Sequence, residues 1–169
     1  MRKELIIPIE KELELIQLLS DRVIEDGYNA SNTIVITVSS DYSSIVGQLM
    51  RHNLSFEGEI CDGFSVDVPY PDEKWDFRYK SELEDMFVIH YLYFKDKTLL
   101  LVENGVIRGG NYTFLTKWIR KNFPQNKIKT LTLFENVGSK FKSDYVGEYY
   151  DDLVQDLTFH FERENKHWV

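Results

Sequence analysis

The chain has 169 residues, of which 43% are hydrophobic, and it carries 28 acidic and 20 basic side chains. This length and composition predict one globular domain that folds without disulfides or a structural metal, and they exclude disordered, collagen-like and mini-protein classes. The net charge of −8 argues against a nucleic-acid polymer as partner, because such binding relies on clustered lysine and arginine.

The chain offers no signal of export or of membrane insertion. Its single cysteine, Cys61, cannot form an internal disulfide, which favours a reducing compartment. No apolar run reaches the length of about 18 residues that a membrane span needs, and the start at Met1 lacks the apolar stretch of a signal peptide. We therefore expect a cytoplasmic protein that does not enter a membrane.

The first part of the chain predicts a helix, a strand and a second helix. Apolar residues recur at helical spacing over 9–26, and Gly27 supplies a stop. The β-branched run Thr33–Val38 predicts a strand, and helical spacing returns from Ile45 to Met50. Residues 55–80 mix glycine, proline and aromatic residues and predict an irregular lid or a small antiparallel appendage.

The second part alternates strands and helices. We predict strands at 87–94, 98–103 and 128–134, a helix at 112–122, and a last strand near 157–161. The apolar run over 98–103 is typical of a strand buried on both faces, as in parallel sheets covered by helices. The whole order predicts an α/β sandwich with a mostly parallel sheet.

The most informative loop follows Glu103. Ligands of open α/β sheets bind beyond the carboxyl ends of the strands. Here an acidic residue ends a buried strand, glycines permit close approach of the backbone, and a helix begins whose N-terminus favours an anion. The loop is suited to phosphate, although an ordinary connection between a strand and a helix would use the same residue types.

Three segments together resemble a known family. Residues 99–111, Leu-Leu-Leu-Val-Glu-Asn-Gly-Val-Ile-Arg-Gly-Gly-Asn, resemble the signature of the type I phosphoribosyltransferases, in which an apolar strand leads through two acidic residues to a phosphate loop. Residues 142–147, Lys-Ser-Asp-Tyr-Val-Gly, look like the segment after the fifth strand of the purine enzymes, and 159–162, Phe-His-Phe-Glu, resemble the ending of xanthine-type members. The resemblance covers most of the chain.

The resemblance implies a fold and a reaction. The fold would be a three-layer α/β sandwich, a single domain over 1–169 with a mostly parallel central sheet and a small irregular hood at about 55–80. The reaction would be that of a glycosyltransferase of purine salvage, in which a purine-like base displaces magnesium-bound pyrophosphate from phosphoribosyl pyrophosphate. It implies Mg²⁺ as cofactor, binding of phosphoribosyl pyrophosphate or a mononucleotide, and allows a homodimer.

The resemblance also assigns residues to each part of the site. The catalytic pair at the ribose would be Glu103 and Asn104, with Glu103 also near the metal through ribose hydroxyls or water. The 5′-phosphate would be held by Arg108, Gly109, Gly110 and Asn111. The pyrophosphate loop would consist of Ser39, Ser40, Asp41, Tyr42 and Ser43. The base pocket would include Glu135, Tyr145, Val146 and Phe161.

Several residues depart from the family pattern, and three of them bear on the choice of function. Asp41 would repel pyrophosphate unless a magnesium ion lies between them. Asn104 replaces an acidic residue, and Glu135 stands near the position of a lysine that reads the exocyclic oxygen in oxopurine enzymes. A carboxylate can accept a hydrogen bond from an amino group, but it has no proton to donate to an oxo group. The sequence therefore leaves two hypotheses open, an active phosphoribosyltransferase and a non-catalytic module that binds a nucleotide, a phosphate ester or a protein partner.

Overall fold

A computed structural model describes residues 3–38, 43–56, 58–66, 68, 84, 85, 87, 94–151 and 154–159. The strands of this part are β1 (Lys3–Ile7), β2 (Thr33–Val38), β3 (Gly63–Val66), β4 (Thr98–Val106), β5 (Ile128–Asn136), β6 (Tyr145–Tyr150) and β7 (Val154–Phe159). The helices are α1 (Ile9–Glu25), α2 (Ser43–Leu54) and α3 (Gly110–Asn122). Nowhere in these ranges is there a helix of the length and apolar character that a membrane span requires.

Five strands form a central sheet in the order β3-β2-β4-β5-β6, and every neighbouring pair is parallel. All six residues of β2 are buried, and so are the first five of β4. Strands this apolar on both faces need helices on both sides, and β-branched residues fill such a position well. The predicted α/β class with a mostly parallel sheet is confirmed.

Helices cover the two faces of the sheet. On one face, α1 and α2 pack over a cluster that contains Leu15, Leu19 and Met50. On the other face, α3 contributes Leu115 and Ile119 to a second cluster. The result is the predicted three-layer sandwich, whose carboxyl strand ends all open toward one edge.

The segment predicted as irregular contains a strand of the main sheet. Within 55–80, β3 pairs in parallel with β2, from Val35 opposite Gly63 to Val38 opposite Val66. Gly63 is needed there because a Cβ would lie 2.4 Å from the carbonyl oxygen of Val35. A strand of four residues has too few positions to reveal its period in a sequence. The rest of that segment lies largely outside the described residues.

The predicted strand at 87–94 is wrong at the two ends that the structure describes. Phe87 and Phe94 both have helical backbone, as do Glu84 and Asp85. The rings of Phe87 and Phe94 are fully buried, with centroids 5.3 Å apart, in the cluster beneath α3. A short apolar run cannot be assigned to a strand or a helix by hydrophobicity alone.

A second sheet joins the two ends of the described chain. It consists of β1 and β7 in parallel, with Ile7 opposite Phe159. A Cβ on Gly105, near the end of β4, would lie 2.7 Å from Leu157, and the rings of Phe134 and Phe159 are 5.9 Å apart. This sheet therefore packs against the carboxyl ends of β4 and β5. The predicted last strand is present with earlier bounds, while β1 and β6 had no prediction.

Two residues of the family-like segment 142–147, Asp144 and Tyr145, anchor the start of β6. The Asp144 carboxylate accepts hydrogen bonds from the Thr130 backbone N–H at 2.9 Å and the Thr130 hydroxyl at 3.0 Å, and it pairs with Lys129 at 2.8 Å. The Tyr145 hydroxyl donates to Asp26 at the end of α1 at 2.6 Å. These contacts fix the start of β6 against β5 and α1.

Gly147, in the middle of β6, offers a test of this packing. A Cβ there would lie 2.5 Å from the carbonyl oxygen of Leu133 and 3.2 Å from the Leu15 side chain. Because the Leu133 carbonyl belongs to β5, which is paired on both edges, it cannot easily move aside, and we expect Gly147→Ala to lower the free energy of unfolding by about 1–3 kcal/mol. Urea unfolding measures this loss. The control is Glu148→Ala in the same strand, which removes a partly exposed ion pair with Lys11 and should change little. A Gly147→Ala midpoint equal to that of the wild type would contradict the packing.

Candidate functional site

The end of β4 carries the predicted ribose-binding pair, but the strand is longer than predicted. Glu103 and Asn104 lie inside β4, which continues to Val106. Backbone pairing with β5 persists past them, with Gly105 opposite Phe134 and Val106 opposite Glu135. The prediction ended the strand where the apolar run ends. Backbone hydrogen bonds between strands do not depend on side-chain polarity, so the pairing continues through the polar residues.

Glu103 faces the start of α3. The Asn111 side-chain amide donates a hydrogen bond to Glu103 Oε1 at 2.8 Å, so two predicted site residues meet directly. Burial raises the pKa of Glu103 from 4.5 to about 7, and the hydrogen bond from Asn111 opposes that rise. The carboxyl is thus poised between its neutral and charged forms near neutral pH.

Asn104 is the more buried member of the pair, with 5% of its surface exposed. Its Oδ1 has no hydrogen-bond partner in the described part of the chain. Buried polar atoms nearly always have hydrogen-bond partners. This oxygen can therefore accept a hydrogen bond from a donor such as a hydroxyl group. In a regular strand, residues four apart point to the same face of the sheet. Val102 and Val106 instead pack in clusters on opposite faces, so β4 is irregular between them.

The glycines of the predicted phosphate loop lie at the N-terminus of α3. Gly109 has a left-handed φ of +73° and precedes the first helical residue, Gly110, and no side chain caps the helix. The first backbone N–H groups of a helix lack intrahelical acceptors, and the helix dipole adds partial positive charge. Arg108, just before them, is exposed. The arrangement suits an anion with several oxygens.

A second loop at the same edge of the sheet, the connection after β5, supports Gly109. A Cβ on Gly109 would lie 2.2 Å from Phe141 Cβ and 3.2 Å from Ser139 Oγ, both in the connection after β5. The Phe141 ring also lies 5.2 Å from the ring of Tyr112 in α3. Glycine is therefore required at 109 for its conformation and for its space. No local pattern links Phe141 to Gly109, because the contact is between distant segments.

The described residues of the predicted base pocket, Glu135, Tyr145 and Val146, have different surroundings in the structure. Glu135 is fully buried at the end of β5, where it accepts a hydrogen bond from the Ser143 backbone N–H at 2.8 Å and pairs with Lys142 at 3.3 Å. Val146 lies two strands from Glu103 in the same row, with Thr132 between them, whereas the Tyr145 hydroxyl is engaged by Asp26. Their contact with a base stays a prediction.

The predicted pyrophosphate loop is described only at its end. Ser43 is the first residue of α2, while Ser39, Ser40, Asp41 and Tyr42 lie outside the described residues, as does Phe161 of the predicted base pocket. Within the described ranges, no three carboxylate, histidine or cysteine side chains converge as a metal site.

No protein-family model and no curated protein sequence matches the chain. Solved structures do match it. A xanthine-guanine-hypoxanthine phosphoribosyltransferase from Helicobacter pylori superposes with a TM-score of 0.67 at 14% identity, covering 98% of each chain. A purine phosphoribosyltransferase from Pyrococcus horikoshii gives a TM-score of 0.64 at 15% identity, covering 92% of each. This chain has the type I phosphoribosyltransferase fold.

A third structure shares this fold. It is a hypothetical protein from Neisseria gonorrhoeae with bound ppGpp, with a TM-score of 0.68, 14% identity, and coverage of 98% of this chain and 96% of the other. The phosphoribosyltransferase-like fold that the sequence motifs implied is confirmed by these likenesses. At such identities they establish the architecture, and the chemistry has to be argued from the residues of this chain.

The raised pKa of Glu103 predicts a pH-dependent stability. The folded state binds the Glu103 proton more tightly than the unfolded state, so this contribution is complete below pH 4.5 and is lost as pH rises through about 7. The loss should reach roughly 3 kcal/mol, since each pKa unit corresponds to about 1.4 kcal/mol. Urea unfolding from pH 4.5 to 8 measures it. Glu103→Gln should remove this component, while Glu10→Gln, at an exposed position of α1, should keep it. Identical profiles for wild type and Glu103→Gln would contradict the assignment.

Proposed function

We propose that this protein binds a ribose 5-phosphate group, as found in phosphoribosyl pyrophosphate and purine mononucleotides, and transfers phosphoribosyl to a purine-like base. The observation that carries the proposal is the joint placement of the uncapped N-terminus of α3, at Gly109 and Gly110, beside Glu103. Backbone N–H donors for a phosphate and a carboxylate acceptor for hydroxyl groups thus lie at adjoining positions, which matches the two polar ends of a phosphorylated ribose.

Each group has a role that follows from its chemistry. The amides of Gly110 and Asn111 donate to phosphate oxygens, and Arg108 adds a charged fork from the exposed side. Glu103 accepts hydrogen bonds from ribose hydroxyls, held in orientation by Asn111. The unpartnered Oδ1 of Asn104 can accept a further hydroxyl hydrogen bond. The ligand would therefore offer partners to polar atoms that have none among the described residues.

Transfer of phosphoribosyl needs stabilisation of positive charge on the ribose ring. The transition state resembles an oxocarbenium ion, so an ionised Glu103 near the ring favours it electrostatically. Because burial raises the pKa of Glu103 to about 7, its charge develops fully only above neutral pH or beside a cation. The remaining work of the protein is to hold the ribose and the base in line.

Mg²⁺ belongs to the same proposal. Magnesium is usually held by one or two carboxylates together with substrate phosphates, and it keeps several waters. Glu103 can supply one such contact directly or through ribose hydroxyls, which fits the lack of a three-ligand cluster in the described ranges. When bound, the ion would neutralise pyrophosphate as a leaving group. It would also offset the acidity of the chain, whose net charge of −8 opposes an anionic ligand.

The alternative is a nucleotide-binding protein that does not catalyse transfer. Asn104 stands where the family signature has a second acid, and Asp41 lies in the segment that matches the pyrophosphate loop. Both changes weaken a magnesium pyrophosphate site without harming a phosphate site at α3. The N. gonorrhoeae protein, which has this fold and bound ppGpp, supports a nucleotide as ligand.

An assay of pyrophosphate release separates the two functions. The protein is incubated with Mg²⁺, phosphoribosyl pyrophosphate and a panel of purine bases, and calorimetry measures the binding of phosphoribosyl pyrophosphate, purine mononucleotides and ppGpp. We expect release with at least one base. Nucleotide binding without release by any base would establish the alternative instead, and neither binding nor release would refute both.

The phosphate loop is tested by two glycine variants with matched backbone strain. Gly109→Ala places a Cβ against Phe141 at a left-handed residue and should weaken ribose 5-phosphate binding at least about tenfold, because the amides lose their arrangement. Gly27→Ala imposes comparable strain at φ +87°, with nothing within 4 Å, far along the chain at the end of α1. It should lower stability only. Calorimetry gives the affinities, and retained affinity in Gly109→Ala would show that the loop assignment is wrong.

A further inference from the structure

The connection after β5, residues 137–143, is held by two side chains at the end of that strand. We refer to it as the β5 loop. Asn136 accepts from the Gly138 backbone N–H through Oδ1 at 2.7 Å and from the Ser139 backbone N–H through its carbonyl at 2.9 Å. These bonds shape the first half of the loop.

Glu135 holds the second half. Its Oε2 accepts the Ser143 backbone N–H at 2.8 Å, and Lys142 Nζ lies 3.3 Å from Oε1. Lys142 also donates to the Val137 carbonyl oxygen at 3.2 Å, which ties the loop back to its start. Glu135 is fully buried, so a charge there needs these partners. The β5 loop is therefore closed around one carboxylate.

The same loop forms the wall behind the phosphate loop. Phe141 fills the space where Gly109 has no side chain, and it packs on Tyr112 in the first turn of α3. The Ser139 hydroxyl donates to the Phe141 carbonyl oxygen at 2.9 Å, which holds Phe141 in that place. A shift of the loop would release the left-handed residue that aims the amides of α3.

We propose that Glu135 is a positioning residue for anion binding at α3, acting through the β5 loop and Phe141 on Gly109. The inference rests on the proposed phosphate site. Amides that are already aimed bind phosphate without a loss of backbone freedom, whereas a loosened loop must be ordered by the ligand. Glu135 thereby sets affinity for the phosphate end of the ligand, although it has the position in the chain of a base-reading residue.

A ligand without a base distinguishes these roles. A residue that reads the base affects a purine mononucleotide and leaves ribose 5-phosphate unchanged. A residue that positions the phosphate loop affects both alike. Ribose 5-phosphate binding, measured by calorimetry, is therefore the decisive measurement.

Four variants carry the test. Glu135→Gln and Lys142→Met remove one or the other partner of the ion pair, and each should weaken ribose 5-phosphate binding roughly tenfold. Lys142→Arg keeps the cation and should restore affinity to within about twofold of the wild type. Asp144→Asn is the matched control, because it loosens the junction of β5 and β6 through Thr130 without touching Gly109.

Thermal unfolding of each variant separates positioning from general destabilisation. We expect Asp144→Asn to lower the Tm while keeping the affinity for ribose 5-phosphate. Equal loss of affinity in Asp144→Asn and Glu135→Gln would overturn the inference, and so would unchanged affinity in Glu135→Gln. Absence of ribose 5-phosphate binding by the wild type would instead refute the proposed phosphate site, and the inference with it.

Discussion

The burial of β4 between β2 and β5 is the constraint on which the site depends. Its apolar residues are covered on both faces, and its backbone is paired on both edges, so the strand has one position and one direction. Parallel neighbours end at the same edge of the sheet, which brings the residues after β4 and β5 together. Glu103, the start of α3 and the β5 loop meet for that reason. Glu103, Asn104 and Glu135 therefore stand on strands that are paired on both edges.

Burial of this kind disfavours charge on the site residues. A carboxyl group enclosed by the sheet and α3 resists ionisation, and Asn111 offsets only part of that resistance. Asn104 nearby keeps a buried oxygen without a partner in the described ranges. Under the proposed function, a hydroxyl-bearing or cationic ligand would interact favourably with both groups. The proposed anionic ligand would be held by local donors, against the net charge of −8 of the whole chain.

Much of this arrangement could be predicted from the sequence, because periodicity and glycine placement are local signals. The helix α1, the strand β2, the buried part of β4 and the helix after the glycines were all predicted, and the segment 99–111 pointed to the fold. Other parts depend on contacts between distant segments. Nothing in the residues near Phe141 indicates that it fills the space at Gly109. The position of Glu135 in the chain indicated contact with a base. Its partners Lys142 and Ser143 lie on the far side of a turn, so the sequence did not reveal its role in the β5 loop. The short strand β3 and the helical backbone at Phe87 were missed because runs of a few apolar residues fit more than one element.

The small sheet of β1 and β7 has a consequence for how the molecule assembles. Its two strands are separated by roughly 150 residues of chain, the longest separation of any pair of strands described here. Closing such a loop is entropically costly, so pairs that are distant in sequence tend to form late. The central sheet and its helices can form before these ends meet. The part of the structure that packs over Gly105 and Phe134 would then be the last to fold and the first to open, while the central strands that carry Glu103 and Glu135 stay paired.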